Sequence, residues 1–194
     1  MKKIAVVHLI VALTFILGCK NGKAPELKNQ SSNEQQDILL NKGKNIASAT
    51  FTALSGELSK AVKEGGLEHA LSYCNVNALP LTDSLANANQ VEIRRTSLKY
   101  RNPKNQPTPQ EESILLKYEA AMKNDEMLQA LVVNEKAGQT FYAPIIAQAA
   151  CLKCHGAKTT ISVYDKILNL YPNDLATGYQ QGDLRGMWSI KFKQ

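Results

Sequence analysis

The chain has 194 residues, of which 44% are hydrophobic, 21% charged and 6% aromatic, with a formal net charge of +6. That is enough apolar chain for one domain with a real core. Its basic residues are scattered, apart from Arg94-Arg95 and the stretch Lys99 to Lys104, which argues against nucleic acid as a partner.

In chain order, Lys2 and Lys3 precede an apolar run from Ile4 to Leu17 that ends in Leu17-Gly18-Cys19. A short basic region followed by an apolar run of that length reads as an export signal, too short for a comfortable permanent span. The small residue before Cys19 resembles a bacterial lipobox, which implies cleavage there and lipidation of Cys19. Residues 1–18 are then a lipoprotein signal peptide. Removing Lys2 and Lys3 takes 23 basic residues to 21 against 17 acidic, so the mature chain is near +4. Residues 19–36, rich in Lys, Asn, Gln, Ser and Glu, cannot bury a core and read as a flexible tether. Residues 37–194 make one domain.

Within that domain, Asp37 to Lys63 carries apolar residues at helical spacing and stops at Gly65-Gly66. Leu67 to Val76, with His69 and Cys74, predicts a second helix, and Thr82 to Asn89 a third. Val91 to Ser97 alternates as a strand. Asn102 to Pro109, with three prolines, predicts an irregular loop, and Glu111 to Asn124 an amphipathic helix. Leu131 to Glu135 and Gln139 to Ile145 flank Ala137-Gly138 as a hairpin. Asp165 to Leu170 gives a helical turn or two, and Gly186 to Phe192 a last strand. Helices first, then strands among loops, predict an α+β fold with an antiparallel sheet.

One motif carries chemistry. Cys151-Leu152-Lys153-Cys154-His155 reads C-x-x-C-H, the attachment signature of c-type haem. Two thiols at that spacing can each join one vinyl group of a single porphyrin, and the adjacent imidazole is carried to the iron. Zinc would need four protein ligands, and beyond the motif the mature chain offers only Cys74 and His69. A thioredoxin-like dithiol belongs where a strand enters a helix in a βαβ unit, which this pattern lacks. One covalent haem is the expectation.

With Cys19 assigned to lipid and Cys151 and Cys154 to haem, Cys74 is left over, an odd thiol in an exported chain. The sixth iron position has His69, Cys74, Met122, Met127, Met187 or water as candidates. Met in amphipathic elements is more often core filler, and by residue type alone His69 ranks ahead of Cys74. Small electron-carrying cytochromes are excluded, since they are nearly all helical and carry C-x-x-C-H close to the mature N-terminus.

A longer pattern extends beyond the motif. Ala70-Leu71-Ser72-Tyr73-Cys74, the block Arg95 to Asn105, Tyr142-Ala143-Pro144-Ile145 before the motif, Tyr171-Pro172-Asn173-Asp174, Ala176-Thr177-Gly178-Tyr179 and Gly182-Asp183-Leu184-Arg185-Gly186 together resemble a family of bacterial c-type haem domains. That family was formerly of unknown function and has a PAS-like fold. The resemblance runs from about residue 40 to the end. It implies a PAS-like antiparallel sheet with N-terminal helices, and iron held by His155 and by Cys74. The chain departs from the family at Thr108-Pro109-Gln110-Glu111, where a bulky aromatic is common.

A thiolate opposite His155 stabilises ferric iron, and two filled axial positions leave no site for oxygen chemistry unless Cys74 dissociates, so the chain is not expected to be an enzyme; release of Cys74 on reduction would open a site for NO or CO. Arg95 (or Arg94), Arg101 and Arg185 are candidates for the haem propionates. Tyr142 and Pro144 either line the haem pocket or pack the core. The expected function is a membrane-tethered haem protein sensing redox state or a diatomic gas; the alternative is a one-electron carrier of the cell envelope. Expected partners are a membrane, through the lipid on Cys19, and a redox or signalling protein, with a homodimer left open. Lys20 points to the outer membrane where the cell has one.

Overall fold

In the computed structural model, residues 24–135 and 138–193 are described. Eight elements organise them: α1 (Ala24–Ala88), β1 (Val91–Thr96), α2 (Pro109–Lys123), β2 (Leu131–Glu135), β3 (Gly138–Ile146), α3 (Leu152–His155), α4 (Tyr164–Leu170) and β4 (Leu184–Phe192). The expected signal peptide, residues 1–18, and Cys19 lie outside the described residues. So does the start of the expected tether, but α1 covers the tether from Ala24 on. Glu, Gln, Lys and Leu in that stretch are sound helix formers, so polar composition there does not mean irregular chain. Residues 35–194 form one compact unit, which holds every element from the body of α1 to β4.

α1 is two limbs. Its backbone leaves helical geometry at Gly65 (φ −156°) and Gly66 (φ 72°, ψ −168°), and the positive φ at Gly66 favours glycine. Tyr73 donates its hydroxyl proton to Glu57 at 2.9 Å, sixteen residues earlier. A straight helix would separate them by about 24 Å, so the limbs fold back on each other. The second limb joins the two helices expected at Leu67–Val76 and Thr82–Asn89, running through Pro80. Side chains supply bonds across that region: Asn77 donates to the Tyr73 carbonyl at 3.0 Å and Thr82 to that of Ala78 at 2.7 Å. Val76, whose carbonyl loses its usual donor at Pro80, is exposed to water.

The sheet is antiparallel in the order β1-β4-β3-β2, so the last strand lies at its centre. Alternation along β3 and β4 gives the sheet two covered faces. Phe141, Trp188, Ile190 and Phe192 join Val91, Ile93 and Val132 against Leu39, Ile46, Ala47 and Ala86 of α1. Tyr142 and Met187 point the other way, into Ile114, Leu115 and Tyr118 of α2. The expected α+β class and antiparallel sheet are what the chain forms.

Thr108 to Glu111, where the family pattern is broken, starts α2. Thr108 is its N-cap and accepts from the Glu111 backbone N–H at 3.3 Å. The Glu111 carboxylate accepts from the Thr108 N–H at 2.9 Å, and Pro109 sits in the first turn, where an N–H has no helical partner. Arg94 meets the buried Glu111 at 3.0 Å, which takes Arg94 out of the search for haem partners.

Close packing on the α1 face gives a direct test. A Cβ on Gly43 would overlap the ring of Phe141, which is fully buried. Gly43→Ala is therefore expected to destabilise the domain by about 1–3 kcal/mol through overpacking, despite alanine's better helix propensity. Urea denaturation measures this, and a variant as stable as the parent would show that the helix stands off the sheet.

Candidate functional site

The C-x-x-C-H motif lies on one helical turn. Cys151 ends a 3₁₀ turn (Ala149–Cys151) and α3 follows directly, closed by a bond from the Gly156 N–H to the Leu152 carbonyl at 2.9 Å. Helical residues three and four apart lie on one side, so Cys151, Cys154 and His155 share a face. The thiols of Cys74, Cys151 and Cys154 are all free, and each residue is half-buried.

His155 is held in one tautomer. Its Nδ1 lies 2.7 Å from the carbonyl oxygen of Ala176. A carbonyl only accepts, so in the neutral ring Nδ1 carries the proton and Nε2 keeps its lone pair for a metal. Burial, with the Arg185 and Arg101 cations, pushes the His155 pKa well below its ordinary range, opposed by the Ala176 bond. Neutral imidazole is the ligand form. The edge of the Tyr179 ring stands against it, with centroids 6.4 Å apart.

The loop after α4 laces this turn in place. Tyr179 and Gly178 donate backbone N–H groups to the carbonyls of His155 (3.0 Å) and Gly156 (2.7 Å). Asp174 grips Arg101 through both carboxylate oxygens, each at 3.1 Å, with side chains 0% and 11% exposed. Arg101 also donates to the Cys154 carbonyl at 2.6 Å. Arg101, a propionate candidate by sequence, thus has its guanidinium committed within the protein.

Cys74 faces the motif from α1. Leu67 and Leu71 pack with Cys154, Ile161, Val163 and Ile167, and Cys74 follows them at helical spacing on the same face. Burial raises the Cys74 thiol pKa; the Arg95 cation lowers it, the Cys154 thiol raises it further and Arg101 lowers it. Such mutual influence puts Cys74, Arg95, Cys154 and Arg101 in one neighbourhood. His69 is turned about 200° from Leu71, half exposed and 3.9 Å from Glu64. Met187 is buried against α2 and Met127 is 83% exposed. Of His69, Cys74, Met127 and Met187, Cys74 is the one brought towards C-x-x-C-H; Met122 lies on α2, the helix on the other face of the sheet from α1.

Two other cations converge there. Arg95 stacks over Trp188 with its guanidinium carbon 6.0 Å from the ring centroid, and Arg185 stacks over Tyr179 at 5.1 Å. Burial lowers the pKa of both, and Arg185 adds to the lowering at Arg95. Among the described residues neither has a carboxylate within ion-pair distance. Both residues are half-buried, and guanidiniums partly withdrawn from water suit an anionic group. Tyr142 and Pro144 belong elsewhere. Tyr142 is core between the sheet and α2, bonded to Glu135, and Pro144, opposite Met187 in β3, alternates onto that same face.

The arrangement fits a haem: an Nε2 left as the ligand atom by the Ala176 bond, a thiol on the helix packed against the motif, and two guanidiniums without a carboxylate partner among the described residues. It does not fit zinc, because among the described residues no three His, Cys, Asp or Glu side chains gather as a metal site. Asp174 and Ala176 stand in the family pattern, but their roles were beyond sequence reasoning, since Arg101 lies 73 residues from Asp174 and a main-chain acceptor carries no side-chain signal.

The family model described as Tll0287-like matches residues 26–193. No curated protein matches the chain. Among solved structures, that of the cyanobacterial heme-protein Tll0287 is similar, with a TM-score of 0.63 and 30% identity over 81% of this chain and 96% of that one. The chain belongs to the Tll0287-like family.

Proposed function

We propose that this protein carries one c-type haem, joined through Cys151 and Cys154 with His155 and Cys74 as axial ligands, and that it reports redox state or a diatomic gas to a separate protein. The observation that carries the reading is the His155–Ala176 bond, which commits Nδ1 and leaves Nε2 as the ligand atom; the packing of Leu67 and Leu71 on Cys154 brings the helix that carries Cys74 to the same motif. The similar cyanobacterial protein Tll0287 is a heme-protein, which supports the cofactor. When bound, the group would supply a one-electron iron couple and, once Cys74 is released, a site for a diatomic gas.

The residues around it have separable tasks. His155 presents a neutral imidazole in fixed orientation. Arg95 and Arg185 bind carboxylates of the cofactor, and Trp188 and Tyr179 support their guanidiniums. Cys74 lies on the limb of α1 that begins after the Gly65-Gly66 break, so loss of its bond would release a helix rather than a loop. In this reading the protein is non-enzymatic. The leader and Cys19 support a lipid-anchored place in the bacterial cell envelope.

The alternative, an electron carrier, draws on a different observation. Cys151 and Leu152 are half-buried and Lys153 is exposed, so the attachment edge reaches the surface where a partner could exchange electrons. Addition of CO or NO to the reduced, haem-loaded protein separates the two. The sensor reading expects prompt gas binding with loss of the Cys74 bond. Six-coordinate iron inert to both gases would overturn it and leave the carrier.

A further inference from the structure

We infer that Asp174 and Arg101 are positioning residues for the axial imidazole, acting through the Ala176 carbonyl without touching the cofactor; this rests on the haem reading above. Asp174 Oδ1 accepts from the Ala176 N–H at 2.9 Å and from Arg101 Nε at 3.1 Å, and its Oδ2 accepts from Arg101 Nη2 at 3.1 Å. The same Nη2 reaches the Cys154 carbonyl at 2.6 Å and that of Ala176 at 3.4 Å. One carboxylate therefore anchors both partners of the key bond. It fixes the turn that carries His155, through Arg101 and the peptide immediately before His155, and it fixes the residue whose carbonyl accepts from Nδ1.

A purely structural ion pair would need only the two bonds between the side chains. Here the remaining bonds end on the residue before His155 or on the one accepting from it. A fixed acceptor on Nδ1 makes the imidazole a stronger donor and favours ferric iron. A looser acceptor weakens that donation, so the midpoint potential rises.

The test uses the full haem-loaded chain, with midpoint titration and ferric EPR on the parent, Arg101→Lys and Asp174→Asn. Arg101→Lys keeps both charges and removes the fork, so a through-space charge effect drops out. It is expected to shift the ferric–ferrous equilibrium about tenfold towards ferrous, near 59 mV for one electron, with altered g-values and a low-spin signal retained. Asp174→Asn should move further in the same direction, and where that variant fails to fold Arg101→Lys decides. Parental potential and g-values in folded Arg101→Lys, even with lowered thermal stability, would overturn the positioning role alone. A parent chain without covalent pigment in a pyridine haemochrome assay would overturn the haem reading beneath it.

Discussion

Cys74→Ala is expected to remove the thiolate signature from the ferric protein and to raise its midpoint potential by on the order of 100 mV, given that axial ligands spread haem potentials over about 0.8 V. The direction follows from charge. A thiolate neutralises ferric iron better than ferrous, so its loss favours reduction. The bare thiol pKa is raised by burial, and Arg95 is the strongest of the groups that oppose this; a bound metal then deprotonates it outright. Arg95 thus assists the ionised form. His69→Ala is the matched control: its side chain is half exposed and turned towards Glu64, so neither spectrum nor potential should move. Low-temperature EPR and optical spectra of both variants decide the matter. A Cys74→Ala spectrum identical to the parent would remove Cys74 from the iron.

The site was unevenly legible in the sequence. C-x-x-C-H announces its chemistry because two thiols and an imidazole must lie on one helical turn, so spacing alone encodes the geometry. The strands were legible for a similar reason: alternation in Val91–Thr96 and around Trp188 reflects a sheet covered on the α1 face. Alternation cannot tell which face holds the cofactor, and so Tyr142 and Pro144 read equally well as pocket or core. Arg101, Arg95 and Arg185 are also alike in sequence. What separates them is a single buried carboxylate, Asp174, which neutralises one and leaves two. That Cys74 rather than His69 lies on the face of α1 that packs towards the motif is a matter of helical phase relative to Leu67 and Leu71, legible once the contacts of that limb are known. The run of α1 through Pro80 was hidden because proline's penalty falls on the Val76 carbonyl, at an exposed residue where water can take up the lost hydrogen bond.

Arg101→Met is expected to cost about 3–5 kcal/mol, the usual penalty for leaving one partner of a buried ion pair uncompensated. The Asp174 side chain is 0% exposed, so water cannot replace the guanidinium, while methionine fills much of the lost volume and keeps a cavity from dominating the loss. For a domain of this size such a change lowers Tm by roughly 10 °C. Adding Asp174→Asn removes the stranded charge yet leaves an amide oxygen able to accept from the Ala176 N–H, the bond that Asp174 now receives at 2.9 Å. The double variant is therefore expected to be more stable than Arg101→Met alone, a non-additivity of about 1–3 kcal/mol that identifies charge desolvation as the cause. Thermal and urea unfolding of the parent, both single variants and the double variant supply the cycle. Additive losses, or an Arg101→Met variant within about 1 kcal/mol of the parent, would mean that solvent reaches Asp174 and that the loop from Asp174 to Tyr179 opens more readily than its bonds to the His155 turn imply.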